Sequence, residues 1–185
     1  MRNLLRYAMS ALGVALLSLG ITSCEAIVEE LPTYEETSLI CEKDEAPDFK
    51  VTTIEGETFT LSEHRGEVVL GVFFSHTCPD CKSLFDDLNK QTTEIEDLDV
   101  SFIAISRGGT EQEIKDYIAT NGYTFDVAVD ENRVVYNRYA TMYVPRVYLI
   151  DKDGVVSMTT IEYDVNHAPE LLERMRELNG VHNGY

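Results

Sequence analysis

Two cysteines separated by two residues, Cys78 and Cys81, are the side chains of this sequence best suited to chemistry. They follow a continuous apolar run, Val68–Phe74, and Pro79 between them fits the first position of a helix. This order predicts a buried strand and then a helix whose N-cap is Cys78. The unpaired N–H groups of that helix end favour negative charge, so Cys78 should be the thiolate nucleophile and Cys81, one turn deeper, the resolving thiol.

A zinc site and a purely structural disulfide are the alternatives for this pair. Zinc would need a second pair of Cys or His ligands, but the chain has only four Cys and four His, and the histidines show no paired ligand spacing. A disulfide across two intervening residues is a tight, reducible loop. We therefore expect redox chemistry at a Cys78–Cys81 disulfide, with no metal and no other cofactor.

Three charged or titratable residues could modulate the pair. Asp80 should disfavour the Cys78 thiolate by repulsion, while Arg146 should favour it if its guanidinium reaches the sulfur; we expect Asp80 to have the larger effect. The alternative for Arg146 is a solvated strand residue. His76 could pair with the thiolate, although its position favours an exposed loop residue.

The composition is strongly acidic. The 185 residues include 33 acidic and 15 basic side chains, for a net charge of −18. A nucleic acid is excluded as a partner, because its phosphates would be repelled. The length fits one domain with its own core.

The N-terminus has the features of an export signal. Residues 1–23 combine Arg2 and Arg6 with an uncharged, mainly apolar run and small residues, which predicts a signal peptide. Cys24 at its end resembles the lipobox of bacterial lipoproteins, which implies lipid on Cys24 and a membrane-anchored location in the cell envelope, facing the periplasm or the exterior. An ordinary signal peptide or a retained anchor is the alternative. Residues 24–45 are acidic and are predicted to be a tether to a folded domain, residues 46–185.

Strand and helix patterns alternate along the folded part and predict a mixed-sheet α/β domain with helices on both faces. The predicted strands are residues 49–53, 58–60, 68–74, 100–105, 125–129, 146–150 and 155–163. The predicted helices are residues 79 to the early nineties, 111–120, 131–139 and about 169–179, and Gly122 is a predicted helix stop.

Several motifs together resemble the thioredoxin-like TlpA/ResA-type envelope reductases of the wider redoxin (AhpC/TSA) group. They are Ala46-Pro47-Asp48-Phe49, Leu61-Ser62, Gly66-Glu67-Val68-Val69-Leu70, Cys78-Pro79-Asp80-Cys81, Phe125-Asp126-Val127-Ala128-Val129-Asp130 and Val144-Pro145-Arg146-Val147-Tyr148-Leu149-Ile150-Asp151-Lys152-Asp153-Gly154. The resemblance covers residues 46–163, most of the chain that follows the signal.

The resemblance implies a thioredoxin fold with an N-terminal β-hairpin and a central βα insertion. It implies a thiol–disulfide oxidoreductase of envelope proteins, more a reductase than an oxidant. Pro145 would be a cis proline facing the cysteine pair and would expose the backbone of Val144 to an extended substrate. Electrons would come from a membrane donor protein, because no nucleotide-binding glycine-rich loop is present.

The chain also departs from that group. Val72 replaces a buried acid or amide six residues before the first cysteine, and Leu84 replaces a glutamate three residues after the second. Phe74 and Thr77 occupy the usual tryptophan positions. Neither usual proton relay is present, so the proton acceptor of Cys81 is left open.

Three other functions on the same fold are alternatives. A peroxiredoxin would have Pro and Thr where this chain has Gly71 and Ser75. A Sco-type copper(I) carrier would space its cysteines by three residues and add a distant His. A non-catalytic binding module would have no need of an intact cysteine pair. Cys41 is left over, as a free thiol or an intermolecular bridge.

Overall fold

The structure is a computed structural model that describes residues 31–181, so the predictions for the signal peptide and for Cys24 lie outside it. The strands are Lys50–Thr52 (β1), Thr58–Thr60 (β2), Val68–Phe74 (β3), Val100–Ser106 (β4), Asp126–Val129 (β5), Arg146–Ile150 (β6) and Val156–Ile161 (β7). The α-helices are Tyr34–Thr37 (α1), Pro79–Lys90 (α2), Thr92–Asp97 (α3), Glu111–Asn121 (α4) and His167–Leu178 (α5). None of the helices in this part of the chain is long and apolar enough to cross a bilayer.

Five strands form one mixed sheet in the order β5-β4-β3-β6-β7. β3 lies in the middle, parallel to β4 and antiparallel to β6. All of its residues are buried, as a continuous apolar run predicts for a strand that is covered on both faces. The two remaining strands form the predicted hairpin, in which Val51 of β1 lies opposite Phe59 of β2.

The two faces of the sheet are covered by different elements. Val147 and Leu149 of β6 face a core cluster that contains residues of α2, α4 and α5. The alternate positions, Tyr148 and Ile150, face a second cluster. That second face is covered by the hairpin, by short helical turns and by the N-terminal segment, where the alternation of strands and helices had predicted helices on both faces.

The ends of α4 agree with the predicted signals. Thr110 is the N-cap, and the carboxylate of Glu113 accepts the Thr110 backbone N–H at 2.8 Å, which completes a capping box. Gly122 ends the helix with φ of +70°, a left-handed conformation that glycine adopts without steric cost. The caps place Ile114 and Ile118 on the face that packs into the core.

The helix predicted over residues 131–139 is wrong in its length, since only a 3-10 turn, Tyr136–Arg138, forms there. The Asp130 carboxylate accepts the backbone N–H groups of residues 134–136 at 2.7, 2.9 and 2.8 Å. A side chain that takes these donors competes with the hydrogen bonds of a helix. Arg133 also has φ of +58°, which lies outside the right-handed helical region.

Of the predicted tether, residues 24–45, the part from residue 32 onward packs against the domain. α1 buries Thr37, and the next residue, Ser38, forms a β-bridge with Ala140. The compact unit therefore begins near the start of this segment and not at Ala46.

Candidate active site

The cysteine pair lies at the start of α2, directly after the central strand β3. Cys78 is the N-cap of α2 and Pro79 its first residue, as predicted. The buried positions of the helix recur at helical spacing: Cys81, Leu84, Phe85 and Leu88. Packing of this apolar face on the sheet fixes the first turn of α2, and with it the position of both sulfur atoms.

The Cys78 thiol is half-buried and makes two polar contacts. Its Sγ accepts the backbone N–H of Cys81 at 3.3 Å and donates to the carbonyl oxygen of Val144 at 3.4 Å. Both cysteines are free thiols in this structure. A sulfur that already accepts an N–H of a helix end is placed for stabilisation as a thiolate.

Cys81 lies in a different environment, with no exposed surface. Burial raises the pKa of its thiol far above the usual value, and the hydrogen bond to Cys78 raises it further. A backbone N–H of Ser75 and the positive charge of Arg107 lower this pKa, but by less. Cys81 therefore stays protonated at neutral pH, and it is also the less accessible of the two thiols.

This difference predicts selective alkylation. With the full chain reduced and folded at neutral pH, iodoacetamide should modify Cys78 and leave Cys81 unmodified, because only thiolates that solvent can reach react quickly. Peptide mass spectrometry, which reads Cys78 and Cys81 separately, measures this. Cys81 should become reactive after unfolding in denaturant, and this serves as the positive control. Equal labelling of the two cysteines in the folded chain would contradict the assignment of roles.

The loop before β6 approaches the cysteine pair from 66 residues away in the sequence. Its Val144–Pro145 peptide bond is cis, the geometry that the resemblance implied. Pro145 is buried, and its carbonyl oxygen accepts the N–H of Glu162 at 2.9 Å. The Val144 carbonyl thus lies beside the Cys78 sulfur.

Arg146 does not lie where either interpretation of the sequence placed it. It is 1% exposed, so it is not a solvated residue, and it does not reach Cys78. Its guanidinium donates to the Met142 carbonyl at 2.8 Å and to the hydroxyls of Ser38 and Thr37 at 2.7 Å each. The reason is strand alternation: the neighbouring Val147 faces α2, so the Arg146 side chain points to the opposite face of the sheet.

Asp80 and His76 flank the pair without contacting it. Asp80 is exposed on the first turn of α2. The His76 ring is half-buried and lies 6.5 Å, between centroids, from the ring of Tyr117 on α4. No hydrogen bond within residues 31–181 joins His76 to Cys78, so His76 is neither a partner of the thiol nor a fully exposed loop residue.

The two residues that replace the usual proton relays, Val72 and Leu84, belong to the hydrophobic core. Val72 and Leu84 are both buried among apolar side chains. Tyr117 of α4 lies near the thiols: burial raises its pKa to about 12, with a smaller contribution from the charge of Cys81. The neighbouring Tyr123 donates to Asp86 at 2.7 Å. No pattern in the sequence indicated that Tyr117 would lie near the cysteine pair.

A mixed sheet with a Cys-X-X-Cys pair at the start of the helix after its central strand, facing a cis proline, defines a thioredoxin-fold protein with a candidate redox dithiol. The sequence profile of the AhpC/TSA family matches residues 43–159. The chain therefore belongs to the AhpC/TSA family, as the motifs predicted.

Individual relatives agree with this assignment. The thiol-disulfide oxidoreductase ResA of Bacillus thuringiensis (strain Al Hakam) is 30% identical over 112 residues, which are 60% of this chain and 65% of that protein, slightly under two thirds of its length. A solution structure from Bacteroides thetaiotaomicron, provisionally assigned as a protein disulfide isomerase, superposes with a TM-score of 0.74 at 24% identity, covering 78% of this chain and 93% of that one. A crystal structure from Chlorobium tepidum, provisionally assigned as the thiol:disulfide interchange protein DsbE, gives 0.70 at 22% identity, covering 76% and 99%. These two structures confirm the predicted thioredoxin fold.

Proposed function

We propose that this protein is a thiol–disulfide oxidoreductase of bacterial envelope proteins that acts mainly as a reductase. The observation that supports the proposal is the position of Cys78: a partly accessible sulfur that accepts the backbone N–H of Cys81, whose own thiol is fully buried. ResA of Bacillus thuringiensis is named for the same activity.

The proposed reaction has two exchange steps. The Cys78 thiolate attacks one sulfur of a substrate disulfide, which forms a mixed disulfide and releases the other substrate sulfur as a thiolate. Cys81 then loses its proton and attacks Cys78 Sγ, which forms the Cys78–Cys81 disulfide and releases the second substrate thiolate. The two thiolates take up two protons, so the substrate gains two electrons and two protons. A donor dithiol must then reduce the Cys78–Cys81 disulfide.

The surroundings of the pair suggest how substrate and donor bind. The Val144 backbone, 3.4 Å from Cys78, would pair with an extended segment of the substrate, and Pro145 would hold that backbone in place. In the proposed setting, lipid on Cys24 anchors the chain to the membrane and a membrane protein supplies the electrons. No cofactor beyond the Cys78–Cys81 disulfide takes part.

The reductive direction is supported by the charges near Cys78. Asp80 places a carboxylate in the first turn of α2, and the cation next to Pro145, Arg146, points to the opposite face of the sheet. Strongly oxidising pairs owe their potential to a stabilised reduced form. A pair whose thiolate is stabilised less should therefore be a reductant.

A redox titration tests the direction. The full chain carrying Cys41→Ser, in mild detergent, would be equilibrated with glutathione or dithiothreitol buffers, and Cys78 and Cys81 counted separately by alkylation and mass spectrometry. We expect a two-electron couple below about −220 mV, towards the thioredoxin end of the known range. A value near −120 mV would assign an oxidant instead. If the two cysteines did not titrate together, the proposal of a redox pair would be refuted.

The alternative functions receive less support from the residues at the site. Gly71 and Ser75 replace the Pro and Thr of a peroxidatic motif, and Gly71 lies in the middle of β3. For a copper carrier, the histidine close to the pair packs against Tyr117, and residues 31–181 contain no group of three or more His, Cys, Asp or Glu side chains that could hold a metal ion. Neither function is favoured by a specific contact.

A further inference from the structure

The N-terminal segment contacts the loop that faces Cys78. The Tyr34 ring packs edge-on against the Tyr143 ring, with centroids 5.0 Å apart. The Tyr143 hydroxyl donates to the carbonyl oxygen of Pro32 at 2.6 Å. The Tyr34 hydroxyl donates to Glu162, whose own N–H bonds Pro145. Tyr34 therefore contacts Tyr143, which precedes the cis peptide bond by one residue, and Glu162, which is hydrogen-bonded to Pro145.

Arg146 is hydrogen-bonded to the same N-terminal segment. Two of its guanidinium nitrogens bond the hydroxyls of Thr37 and Ser38, and its Nε bonds the carbonyl of Met142, inside the loop. No carboxylate among the described residues forms an ion pair with Arg146, so a buried cation is satisfied by neutral oxygens alone. The backbone adds to this connection, because the Thr141 N–H donates to the Thr37 carbonyl at 2.9 Å.

A buried guanidinium is a costly way to gain stability alone. Desolvation of the charge opposes folding, and apolar side chains of similar size often replace buried ionic groups without loss of stability. The planar guanidinium instead fixes geometry, because its N–H donors point in set directions within one plane and so fix the positions of the three acceptor oxygens. Here these acceptors belong to α1, to the residue after it and to the loop that carries Val144, so the arrangement fixes the distance between the N-terminal segment and that loop.

We propose that residues 32–38 form one wall of the substrate cleft, with Tyr34 as a residue that contacts the substrate and Arg146 as the positioning residue that holds the wall against the Val144 loop. The inference rests on the proposed function and goes beyond it, because it assigns a substrate-binding role to a segment outside the redox motif. Tyr34 is 41% exposed, so part of its ring is free to contact a bound segment. The wall should favour polypeptide substrates, which are long enough to reach Tyr34, over small disulfides and thiols, which need only Cys78.

Two reactions distinguish an effect on the substrate wall from an effect on the thiol chemistry. The first is reduction of the oxidised full chain, in detergent, by dithiothreitol. The second is reduction of insulin disulfides, with dithiothreitol present to regenerate the Cys78–Cys81 dithiol after each turnover, followed as kcat/KM. The variants are Tyr34→Ala, Arg146→Met and the double variant Thr37→Val with Ser38→Ala, which removes the two hydroxyls and leaves Arg146 in place. Arg174→Met is the matched control, because Arg174 also bonds a hydroxyl, that of Ser157, on β7.

We expect each wall variant to lower kcat/KM for insulin about tenfold, as loss of substrate positioning does, while the dithiothreitol rate changes less than about twofold. Arg174→Met should change neither rate. Arg146→Lys, which keeps the charge but not the planar set of donors, should recover only part of the insulin activity. If Arg146→Met fails to fold, which circular dichroism would show, Tyr34→Ala and the hydroxyl variant still decide the question.

The possible outcomes are distinct. Unchanged insulin activity in Tyr34→Ala and in the hydroxyl variant would refute the wall. An equal fall in both reactions would also refute it, because the change would then lie in the thiols. A wild-type chain that reacts with dithiothreitol but never with insulin would refute the proposed protein reductase and the wall together, whereas failure of the wall alone leaves wild-type insulin reduction intact.

Discussion

Cys78→Ser should lower insulin reduction by a factor of about 10³ or more, because a serine hydroxyl is not ionised at neutral pH and cannot form the mixed disulfide. The fold should tolerate the change. Serine is a preferred N-cap residue, and its oxygen can accept the same N–H of Cys81 that the sulfur accepts now. The free energy of unfolding should therefore stay within about 0.5 kcal/mol of the wild-type value. Insulin turnover and urea denaturation of the full chain in detergent measure the two effects.

Cys81→Ala is the companion variant and should fail at a different step. Cys78 stays reactive, but nothing resolves the mixed disulfide, so the covalent complex with the substrate should accumulate and be visible on a non-reducing gel. Alanine is preferred here to serine, because a hydroxyl at this fully buried position would need a partner. If Cys78→Ser kept more than about a tenth of the wild-type turnover, the role of Cys78 as nucleophile would be refuted. If Cys78→Ser instead formed a covalent complex with the substrate through Cys81, the two roles would be reversed.

The central part of the site could be predicted because its signals are local. An apolar run of strand length, a cysteine at an N-cap, proline at the first helical position and apolar residues at helical spacing all lie within residues 68–90. Each signal has one simple structural outcome, and the structure has that outcome for β3 and α2. The cis geometry of Val144–Pro145, in contrast, was available only from the resemblance, since the dipeptide alone does not require it.

Arg146 shows where sequence reasoning stops. Its neighbours predicted a strand, and the strand forms, but the face on which the side chain lies depends on which helices cover each side of the sheet. The interpretation of residues 24–45 as a tether rested on acidic composition, which is also typical of a solvated surface. What attaches residues 32–45 to the domain is a set of long-range bonds to residues 139–146 and 155–162, and no local pattern encodes such pairs. The proposed substrate wall lies within this N-terminal segment.

Asp130 connects the misjudged 131–139 segment to the active site. Its carboxylate is 7% exposed and binds three backbone N–H groups, including that of Tyr136. The Tyr136 hydroxyl in turn donates to the Tyr143 carbonyl at 2.7 Å, next to Val144. The Asp130 carboxylate thus accepts the backbone N–H groups of the turn and, through Tyr136, supports the loop that faces Cys78.

Asp130→Ala should therefore destabilise the protein by about 3 kcal/mol, since buried N–H groups that lose a partner cost about 1–3 kcal/mol each and some of these three regain water. Asp130→Asn keeps one acceptor oxygen and should lose roughly half as much. Asp153→Ala, in the exposed turn between β6 and β7, is the matched control and should stay within about 0.5 kcal/mol. Urea denaturation followed by circular dichroism measures all three. If Asp130→Ala were as stable as the Asp153 control, the carboxylate would not be what orders the turn, and the support of the Val144 loop would have to come from the N-terminal segment and Arg146 alone.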